Sequence, residues 1–283
     1  MTAIPCDSQV VRPGAFLRLK ARVPGRLRHL FGRVERFFYE GDGVCVWLDG
    51  RQVRCAIDAA PGFLSHADHA EDRLLMQRVF ESLRPGDTFL DVGSHVGLYA
   101  IGAAGRVGTS GRVVAFEPTP DTVRKLAHNL ALNKLATRVR IEQVAASDTD
   151  GMVSFTISGT SMMNSIFTGA PEGHSRPGGP TRSIQVRTAT LDRYFKPSER
   201  TVVKIDTEGH EPAVLRAAPQ LLASPARVFV ELHPWAWPSQ TEVWTELMQL
   251  CRRHRRHAEL LDGTRLDQPA HRRVEFAHDE ARA

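Results

Sequence analysis

Short apolar runs alternate with amphipathic stretches along the chain from residue 87 onward. The runs are rich in β-branched side chains, and the stretches between them repeat their apolar positions at helical spacing. This alternation is typical of a parallel sheet covered by helices on both faces. We predict strands at residues 88–92, 112–116, 139–145, 202–206, 228–231, 258–261 and 274–276, and helices at 98–104, 121–132, 211–222 and 241–252.

One long interruption divides this region. Residues 152–157 and 183–188 have strand-like patterns, and the segment 158–182 between them is rich in Gly, Ser and Pro. A loop of this length in a compact domain is usually functional or mobile, so we predict a lid over a binding site. Its two methionines, Met162 and Met163, fit either an adaptable apolar surface or ordinary packing.

The chain before residue 66 has a different pattern. Apolar residues recur at helical spacing between Val23 and Phe37, which predicts a short amphipathic helix after Pro24. Residues 44–48 and 52–57 flank Asp49-Gly50, a dipeptide suited to a tight hairpin turn. A further helix is predicted at 67–83. We therefore divide the chain into a basic N-terminal extension, residues 1–65, and a main domain, residues 66–283.

The positive charge is concentrated in the extension. Residues 12–36 contain eight Lys and Arg against one Glu, which exceeds the formal net charge of +5 for the whole chain. The main domain is therefore close to neutral. The basic segment fits a helix that packs on the domain with its arginines in water, or a surface that docks on an anionic membrane or partner.

Composition also bounds the location of the protein. No apolar run approaches the roughly 20 residues of a membrane span, and residues 1–20 lack the apolar core of a signal peptide. The four cysteines form no CxxC pair. Cys45 and Cys55 fit either a pair facing each other across the hairpin or reduced thiols. We expect a soluble, cytoplasmic protein.

Three strand ends carry candidate chemistry. The segment 91–97, Asp-Val-Gly-Ser-His-Val-Gly, leads from a buried strand through a glycine turn into a helix, whose first N–H groups are free to bind a ligand. Its spacing is GxxxG rather than the GxGxxG of dinucleotide-binding enzymes, which argues against a nicotinamide oxidoreductase. Glu117 ends the next strand and is placed to accept hydrogen bonds from both ribose hydroxyls, so a nucleoside ligand is expected.

The third strand end is acidic. Asp206, Glu208 and Glu211 follow a predicted central strand, where ligands bind in open α/β sheets. Capping of the helix that begins near Pro212 explains Glu211 well and Asp206 poorly. Glu231 and His233 end the following strand, whereas His210 is interpreted as a loop histidine.

Together these segments resemble the FkbM family of S-adenosylmethionine-dependent methyltransferases. The resemblance covers residues 71–234, and Lys-Ile-Asp-Thr-Glu-Gly-His-Glu at 204–211 is its most specific part. It implies a Rossmann-like class I methyltransferase fold with a seven-stranded, mostly parallel sheet, S-adenosylmethionine as methyl donor and a hydroxyl as the usual acceptor. The matching segments are 83–97, 111–118, 129–133, 144–148, 190–192, 204–211 and 230–233.

The resemblance also implies roles by position. Asp206 would lie near the sulfonium and the acceptor, and it is our hypothesis for the general base, with His233 as the alternative and Glu231 as the third catalytic candidate. A divalent ion such as Mg²⁺ on Asp206 and Glu231 would activate the hydroxyl, whereas without a metal Glu231 would bind backbone or acceptor hydroxyls. The residues assigned to the cofactor are Asp91, Gly93, Ser94, His95 and Gly97 at the methionine part, Glu117 at the ribose, and Ala145 and Ala146 at the adenine.

The expected function is O-methylation of a hydroxyl on a sugar, glycan or secondary metabolite. The alternative is a nucleic-acid-binding or nucleic-acid-modifying methyltransferase that uses the basic N-terminal segment. Two features oppose it. Asp206 is followed by Thr-Glu-Gly rather than by Pro-Pro and an aromatic residue, and carboxylates around the acceptor would repel a phosphate backbone.

Overall fold

A computed structural model describes residues 44–48, 51–56, 70–157 and 182–279. Four of the predicted features lie outside these ranges: the N-terminal helix with its basic segment, the hairpin turn at 49–50, the first residues of the helix predicted at 67–83, and the lid apart from Arg182. Within the described residues no helix is long and apolar enough to cross a membrane. A cytoplasmic location stays a prediction.

The elements follow the predicted alternation closely. Helix α3 starts with a proline, and its missing N–H loses no hydrogen bond because the N–H groups of a first turn have no partner within the helix. Ser239 caps α6, since its side chain accepts a hydrogen bond from Glu242 N–H. The helices are α1 (Ala70–Ser82), α2 (Leu98–Val107), α3 (Pro120–Leu132), α4 (Glu211–Arg216), α5 (Pro219–Ala223) and α6 (Gln240–Arg253). The strands are β1 (Val44–Leu48), β2 (Arg51–Cys55), β3 (Thr88–Val92), β4 (Arg112–Phe116), β5 (Val139–Glu142), β6 (Ala145–Ala146), β7 (Gly151–Ile157), β8 (Arg182–Ala189), β9 (Thr201–Ile205), β10 (Arg227–Glu231), β11 (Arg256–Leu260) and β12 (Arg273–His278).

Seven strands form the main sheet in the order β11-β12-β10-β9-β3-β4-β5. All neighbouring pairs are parallel except those made by β12, which is antiparallel to both β10 and β11. This arrangement confirms the predicted Rossmann-like class I fold. Strands β6, β7 and β8 form a separate three-stranded sheet, so the predicted interruption is also confirmed.

Alternate residues of the parallel strands point into two hydrophobic cores, one on each face of the sheet. Phe89 and Val202 join the core made with α1, α2 and α3, whereas Leu90 and Val203 join the core made with α4, α5 and α6. Val53 and Cys55 of the hairpin belong to the first core. Burial on both faces explains why these strands read as continuous apolar runs.

Two predicted elements are wrong in their extent. The strand predicted at 139–145 is split, because the chain leaves the main sheet after Glu142 and pairs Ala145 with Thr188 of the small sheet. The helix predicted at 211–222 is two helices, α4 and α5. Pro219 has no N–H to donate inside a helix, so α4 ends before it and α5 begins with it.

The hairpin register decides between the two interpretations of the cysteines. Cys45 is opposite Arg54, and Cys55 is opposite Val44, so the two cysteines are not partners across the hairpin. Cys55 and Cys251 are buried, and neither forms a disulfide within the described part of the chain.

Candidate functional site

The carboxyl ends of three adjacent strands define the site. The chain leaves β3 toward β4 on one side and returns to β9 on the other side, which makes the end of β3 a topological switch point. Gly93, Glu117 and Asp206 follow β3, β4 and β9 directly. The fold therefore brings the three predicted strand ends to one edge.

Glycine is required at both ends of the turn after β3. Gly93 has a φ of 78°, and a Cβ there would lie 1.8 Å from the carbonyl oxygen of Asp206. Gly97 has a φ of 96°, and its Cβ would lie 2.6 Å from Leu126 Cδ1. Backbone hydrogen bonds from Gly93 N and Ser94 N to Phe116 O, at 3.1 and 3.0 Å, fix the turn on β4. The glycine turn therefore touches the β9 strand end directly.

Asp91 and Ser94 lie beneath this turn. Ser94 Oγ donates to the carbonyl oxygen of Asp91 at 2.7 Å, so the hydroxyl is turned away from the site edge. The carboxylate of Asp91 is fully buried, and neither oxygen makes a well-aligned hydrogen bond within the described part of the chain. Burial raises the pKa of Asp91 to about 6, although the nearby Lys204 ammonium opposes the shift.

Glu117 is a buried carboxylate held at the end of β4. It accepts from Thr119 N–H at 3.0 Å and from the Thr119 hydroxyl. Burial raises the pKa of Glu117, while hydrogen bonds from Thr119 and from the backbone of His95 oppose the shift. His95, which has a φ of 49°, donates this backbone hydrogen bond from within the glycine turn. The turn and Glu117 form one local unit.

A cleft beside the turn is lined mainly by apolar groups. Ala145 and Ala146, which the resemblance assigns to the adenine, both line it. His210 also lines it and lies 2.9 Å from Ser147 Oγ, and burial lowers the pKa of His210. The sequence did not indicate this position for His210. The remaining lining residues are Val92, Gly93, Phe116, Pro118, Val144, Phe155 and Thr207.

Glu211 organises the acidic side of the site. One oxygen of this fully buried carboxylate accepts from Thr207 N–H at 3.1 Å, from Gly209 N–H at 2.9 Å and from His233 Nδ1 at 3.0 Å. Capping of α4 is therefore only part of its role. Glu211 holds the loop after β9 and orients the imidazole that follows β10.

The other nitrogen of His233 faces three carboxylates. His233 Nε2 lies 4.0 Å from Asp206 Oδ1, 3.8 Å from Glu208 Oε2 and 3.7 Å from Glu231 Oε1. Burial disfavours the charged imidazole, but Glu211 and the other acids outweigh it and raise the pKa of His233 to about 10. For the carboxyl group of Glu208 burial acts in the opposite direction and raises the pKa to about 8. The surrounding acids therefore favour the charged form of the His233 imidazole.

A buried lysine and a half-buried arginine pair with the two predicted metal ligands. Lys204 Nζ donates to Asp206 Oδ2 at 3.1 Å, and Arg273 Nη2 lies 2.7 Å from Glu231 Oε1. His271 Nε2 also lies 3.4 Å from Glu231 Oε1. The sequence did not single out Lys204, Arg273 or His271 for the site.

Two groups of side chains in the described residues have potential ligand atoms within 4.8 Å of one another. One is Asp206 with Glu208 and His233, and the other is Glu231 with His233 and His271. Neither group joins Asp206 to Glu231, the pair expected to hold Mg²⁺. The imidazole of His233 stands between these two acids instead.

Comparison with known proteins identifies the family. The profile of the methyltransferase FkbM domain matches residues 91–257, which contain the glycine turn, Glu117 and the whole acidic cluster. The chain belongs to the FkbM methyltransferase family. It is 30% identical over 215 residues to the hexuronic acid methyltransferase AglP of Haloferax volcanii, covering 72% of this chain and 83% of that protein.

Two solved structures are also similar to this methyltransferase. The FkbM methyltransferase of Methylobacillus flagellatus KT matches with a TM-score of 0.44 and 14% identity over 77% of this chain, which spans 59% of that protein. The O-methyltransferase of Bacillus cereus in complex with SAH matches with a TM-score of 0.35 and 16% identity, over 62% of this chain and 61% of that one.

Proposed function

We propose that this methyltransferase uses S-adenosylmethionine to methylate a hydroxyl of a sugar residue in a glycan. The observation that carries the proposal is the contact between Gly93 and Asp206, where a Cβ would lie 1.8 Å from the Asp206 carbonyl oxygen. Because of this contact, the nucleoside cleft and the acidic cluster adjoin at one turn. A donor bound in the cleft and an acceptor bound at the acids would meet there.

The cleft suits the donor. Glu117 is a buried carboxylate able to accept from ribose hydroxyls, and Phe116, Pro118, Ala145 and Ala146 offer a narrow apolar slot for a flat base. The buried negative charge of Asp91 beneath the glycine turn favours the ammonium group of the methionine part. S-adenosylmethionine supplies a methyl group on a sulfonium, which an acceptor oxygen displaces in line.

Asp206 is the residue proposed to take the acceptor proton. Its Oδ2 is held by Lys204, whereas Oδ1 faces the space beside His233. His233 lacks a free lone pair when protonated, and its pKa of about 10 keeps it protonated at neutral pH. We therefore assign His233 to fixing the charge balance around Asp206, and Glu231 to binding acceptor hydroxyls.

The acceptor side favours a sugar. Carboxylates such as Glu231 accept hydrogen bonds from sugar hydroxyls, and Trp235 stands at a right angle to His233 with ring centroids 5.9 Å apart. An aromatic side chain beside carboxylates offers a sugar both an apolar face and acceptors. The similarity to AglP, whose name gives a hexuronic acid as its substrate, makes uronic-acid glycans the first acceptors to test.

The donor set does not favour a divalent ion between Asp206 and Glu231. A protein cation already pairs with each carboxylate, Lys204 with Asp206 and Arg273 with Glu231. His233 would have to lose a proton before it could act as a ligand. The proposed proton transfer to Asp206 therefore does not use Mg²⁺.

The first test is calorimetric titration with S-adenosylhomocysteine of the wild type, Glu117→Ala and the control Glu246→Ala. Glu246 is an exposed acid of α6 that does not line the cleft. We expect micromolar binding by the wild type and the control. Loss of two hydrogen bonds to a charged group costs about 3 kcal/mol, so Glu117→Ala should bind roughly a hundredfold more weakly.

The second test offers uronic-acid and neutral oligosaccharides with labelled S-adenosylmethionine, with and without EDTA. Transfer to a sugar hydroxyl at equal rates in both conditions supports the proposal. If the folded wild type does not bind S-adenosylhomocysteine, the donor assignment is wrong. If it binds but methylates no sugar, the acceptor assignment is wrong.

A further inference from the structure

Two asparagines, Asn129 in α3 and Asn133 directly after it, pair with backbone groups of β2 and of the residue that follows it. Arg54 N–H donates to Asn133 Oδ1 at 2.9 Å and Asn133 Nδ2 donates to Arg54 O at 2.6 Å, while Ala56 N–H donates to Asn129 Oδ1 at 2.8 Å. Four helical residues advance about 6 Å and two strand residues about 6.6 Å, so the spacing of the asparagines matches alternate residues of the strand. The two side chains act as a neighbouring strand would.

Asn129 also holds the glycine turn. Its Nδ2 donates to the carbonyl oxygen of Val96 at 2.8 Å, and the side chain is fully buried. Val96 lies between His95 and Gly97, two residues with positive φ. One amide group therefore joins the N-terminal hairpin to the turn at the end of β3.

This hydrogen bond fixes the orientation of the Val96–Gly97 peptide in the glycine turn. A buried carbonyl without a hydrogen-bond partner is unfavourable, so the amide of Asn129 favours the observed orientation of the Val96–Gly97 peptide. That peptide carries the Gly97 N–H, which donates to Ser94 O at 2.8 Å and closes the turn before α2 begins.

Helix α3 supports the turn at a second point. Leu126 lies one turn before Asn129, and its Cδ1 fills the space where a Cβ on Gly97 would be. The apolar contact of Leu126 limits how far the turn can sink toward α3. The polar contact of Asn129 limits how its peptide can rotate. Within the described residues, the Asn133 side chain forms its hydrogen bonds with the hairpin and with α3.

We propose that Asn129 is a positioning residue for the cofactor, and that it couples docking of the hairpin to the conformation of the glycine turn. The identity of the ligand rests on the proposed function. Because coupling is reciprocal, a ligand that orders the turn must also stabilise the docked hairpin.

The test compares Asn129→Leu with Asn133→Leu. Both changes replace an amide by an apolar group of similar size and leave hairpin backbone groups unpaired, but only the first removes the contact with Val96. Loss of one such bond, about 1.4 kcal/mol, predicts about tenfold weaker binding of S-adenosylhomocysteine by Asn129→Leu, against a change within about twofold for Asn133→Leu. If either leucine variant fails to fold, Asn129→Ser and Asn133→Ser are compared instead.

Hydrogen exchange provides a second readout on the same proteins. Without ligand, residues 93–97 should exchange faster in Asn129→Leu than in Asn133→Leu. With S-adenosylhomocysteine, exchange at residues 51–56 should slow in the wild type and not in Asn129→Leu. Equal exchange at 93–97 in the two variants, or equal losses of affinity, would overturn the proposal. If the wild type binds no S-adenosylhomocysteine, the proposed function fails, and exchange at 93–97 alone decides whether Asn129 positions the turn.

Discussion

At the scale of single residues, the site separates the two candidates for the general base. Asp206 has one oxygen held by Lys204 and one directed toward His233. The His233 imidazole is held at Nδ1 by the buried Glu211 and surrounded at Nε2 by acids, which keeps it charged. A group that is already protonated cannot accept a proton, so our proposal assigns the proton transfer to Asp206.

We therefore predict different losses for Asp206→Asn and His233→Asn. Removing the base should lower kcat by about 10²–10⁴-fold while leaving binding of S-adenosylhomocysteine nearly unchanged. His233→Asn should lower kcat less, by about tenfold, because an asparagine keeps a donor near Glu211. Rates are measured on the sugar acceptor identified in the second test. A larger loss in His233→Asn than in Asp206→Asn would make the histidine the base.

At the scale of elements, a buried arginine joins three segments around β11. Arg256 is 1% exposed and donates to four backbone carbonyls. Three of these belong to the end of α5 and the loop before β10, namely Leu222, Ser224 and Ala226, and the fourth is Phe276 of β12. Burial lowers the pKa of Arg256 to about 10. The side chain satisfies carbonyls that a helix end leaves without partners.

Arg256→Met should therefore lower the free energy of unfolding by about 3 kcal/mol, since several buried carbonyls lose a charged donor. Arg252→Met, on the exposed face of α6, should change it by less than about 0.5 kcal/mol. Urea unfolding followed by circular dichroism measures both. Titration with S-adenosylhomocysteine below the transition should give the same affinity for each, because β11 is remote from the cleft. Equal urea midpoints for Arg256→Met and Arg252→Met would show that Arg256 does not join these segments.

The elements also show what the sequence could predict. The central strands and the glycine turn depend on local patterns, namely apolar runs, glycines and strand-end acids, and these were predicted at nearly the right residues. Pro219 indicates the break between α4 and α5, because a proline has no N–H for a hydrogen bond inside a helix, but the apolar spacing alone predicts one continuous helix. The pairings of Glu211 with His233, Arg273 with Glu231 and Asn129 with Val96 join residues distant in the chain, and single-sequence patterns do not carry such contacts.

At the scale of the whole molecule, buried and half-buried charges alternate in sign across the sheet edge. The series begins on α1 and passes through β12 and β10 to the strand end of β9. Its separations are 2.6 Å, 2.7 Å, 3.7 Å, 4.0 Å and 3.1 Å. The members in order are Asp72, Arg273, Glu231, His233, Asp206 and Lys204. Four of these groups are buried, whereas Arg273 and Asp206 are half-buried, and the alternation places a charge of opposite sign beside each of them.

Glu208 lies beside this series. Its carboxylate oxygen Oε2 is 3.8 Å from His233 Nε2, a group that it shares with Asp206 and Glu231. Its pKa rises from an ordinary 4.5 to about 8 on folding, chiefly because of burial. Between these values the folded protein retains a proton that the unfolded chain has released, so stability falls as the pH rises. The pKa of His233 rises from 6.5 to about 10, and its contribution, complete below pH 6.5, is likewise lost as the pH rises through 10.

We predict that the ligand-free protein melts at progressively lower temperature as the pH rises from about 6.5 to about 9, where both raised pKa values act and the lowered pKa of His210 no longer opposes them. Glu208→Gln keeps the shape of the side chain but removes its titration, so its melting temperature should depend less on pH between about 5 and 8. The control Glu246→Gln changes an exposed acid and should give a profile parallel to that of the wild type. Scanning calorimetry in buffers of matched ionic strength measures all three. Parallel profiles for Glu208→Gln and the wild type would show that Glu208 is ionised at the same pH in the folded and unfolded chain, and the acidic cluster would then hold one more negative charge at neutral pH than the geometry indicates.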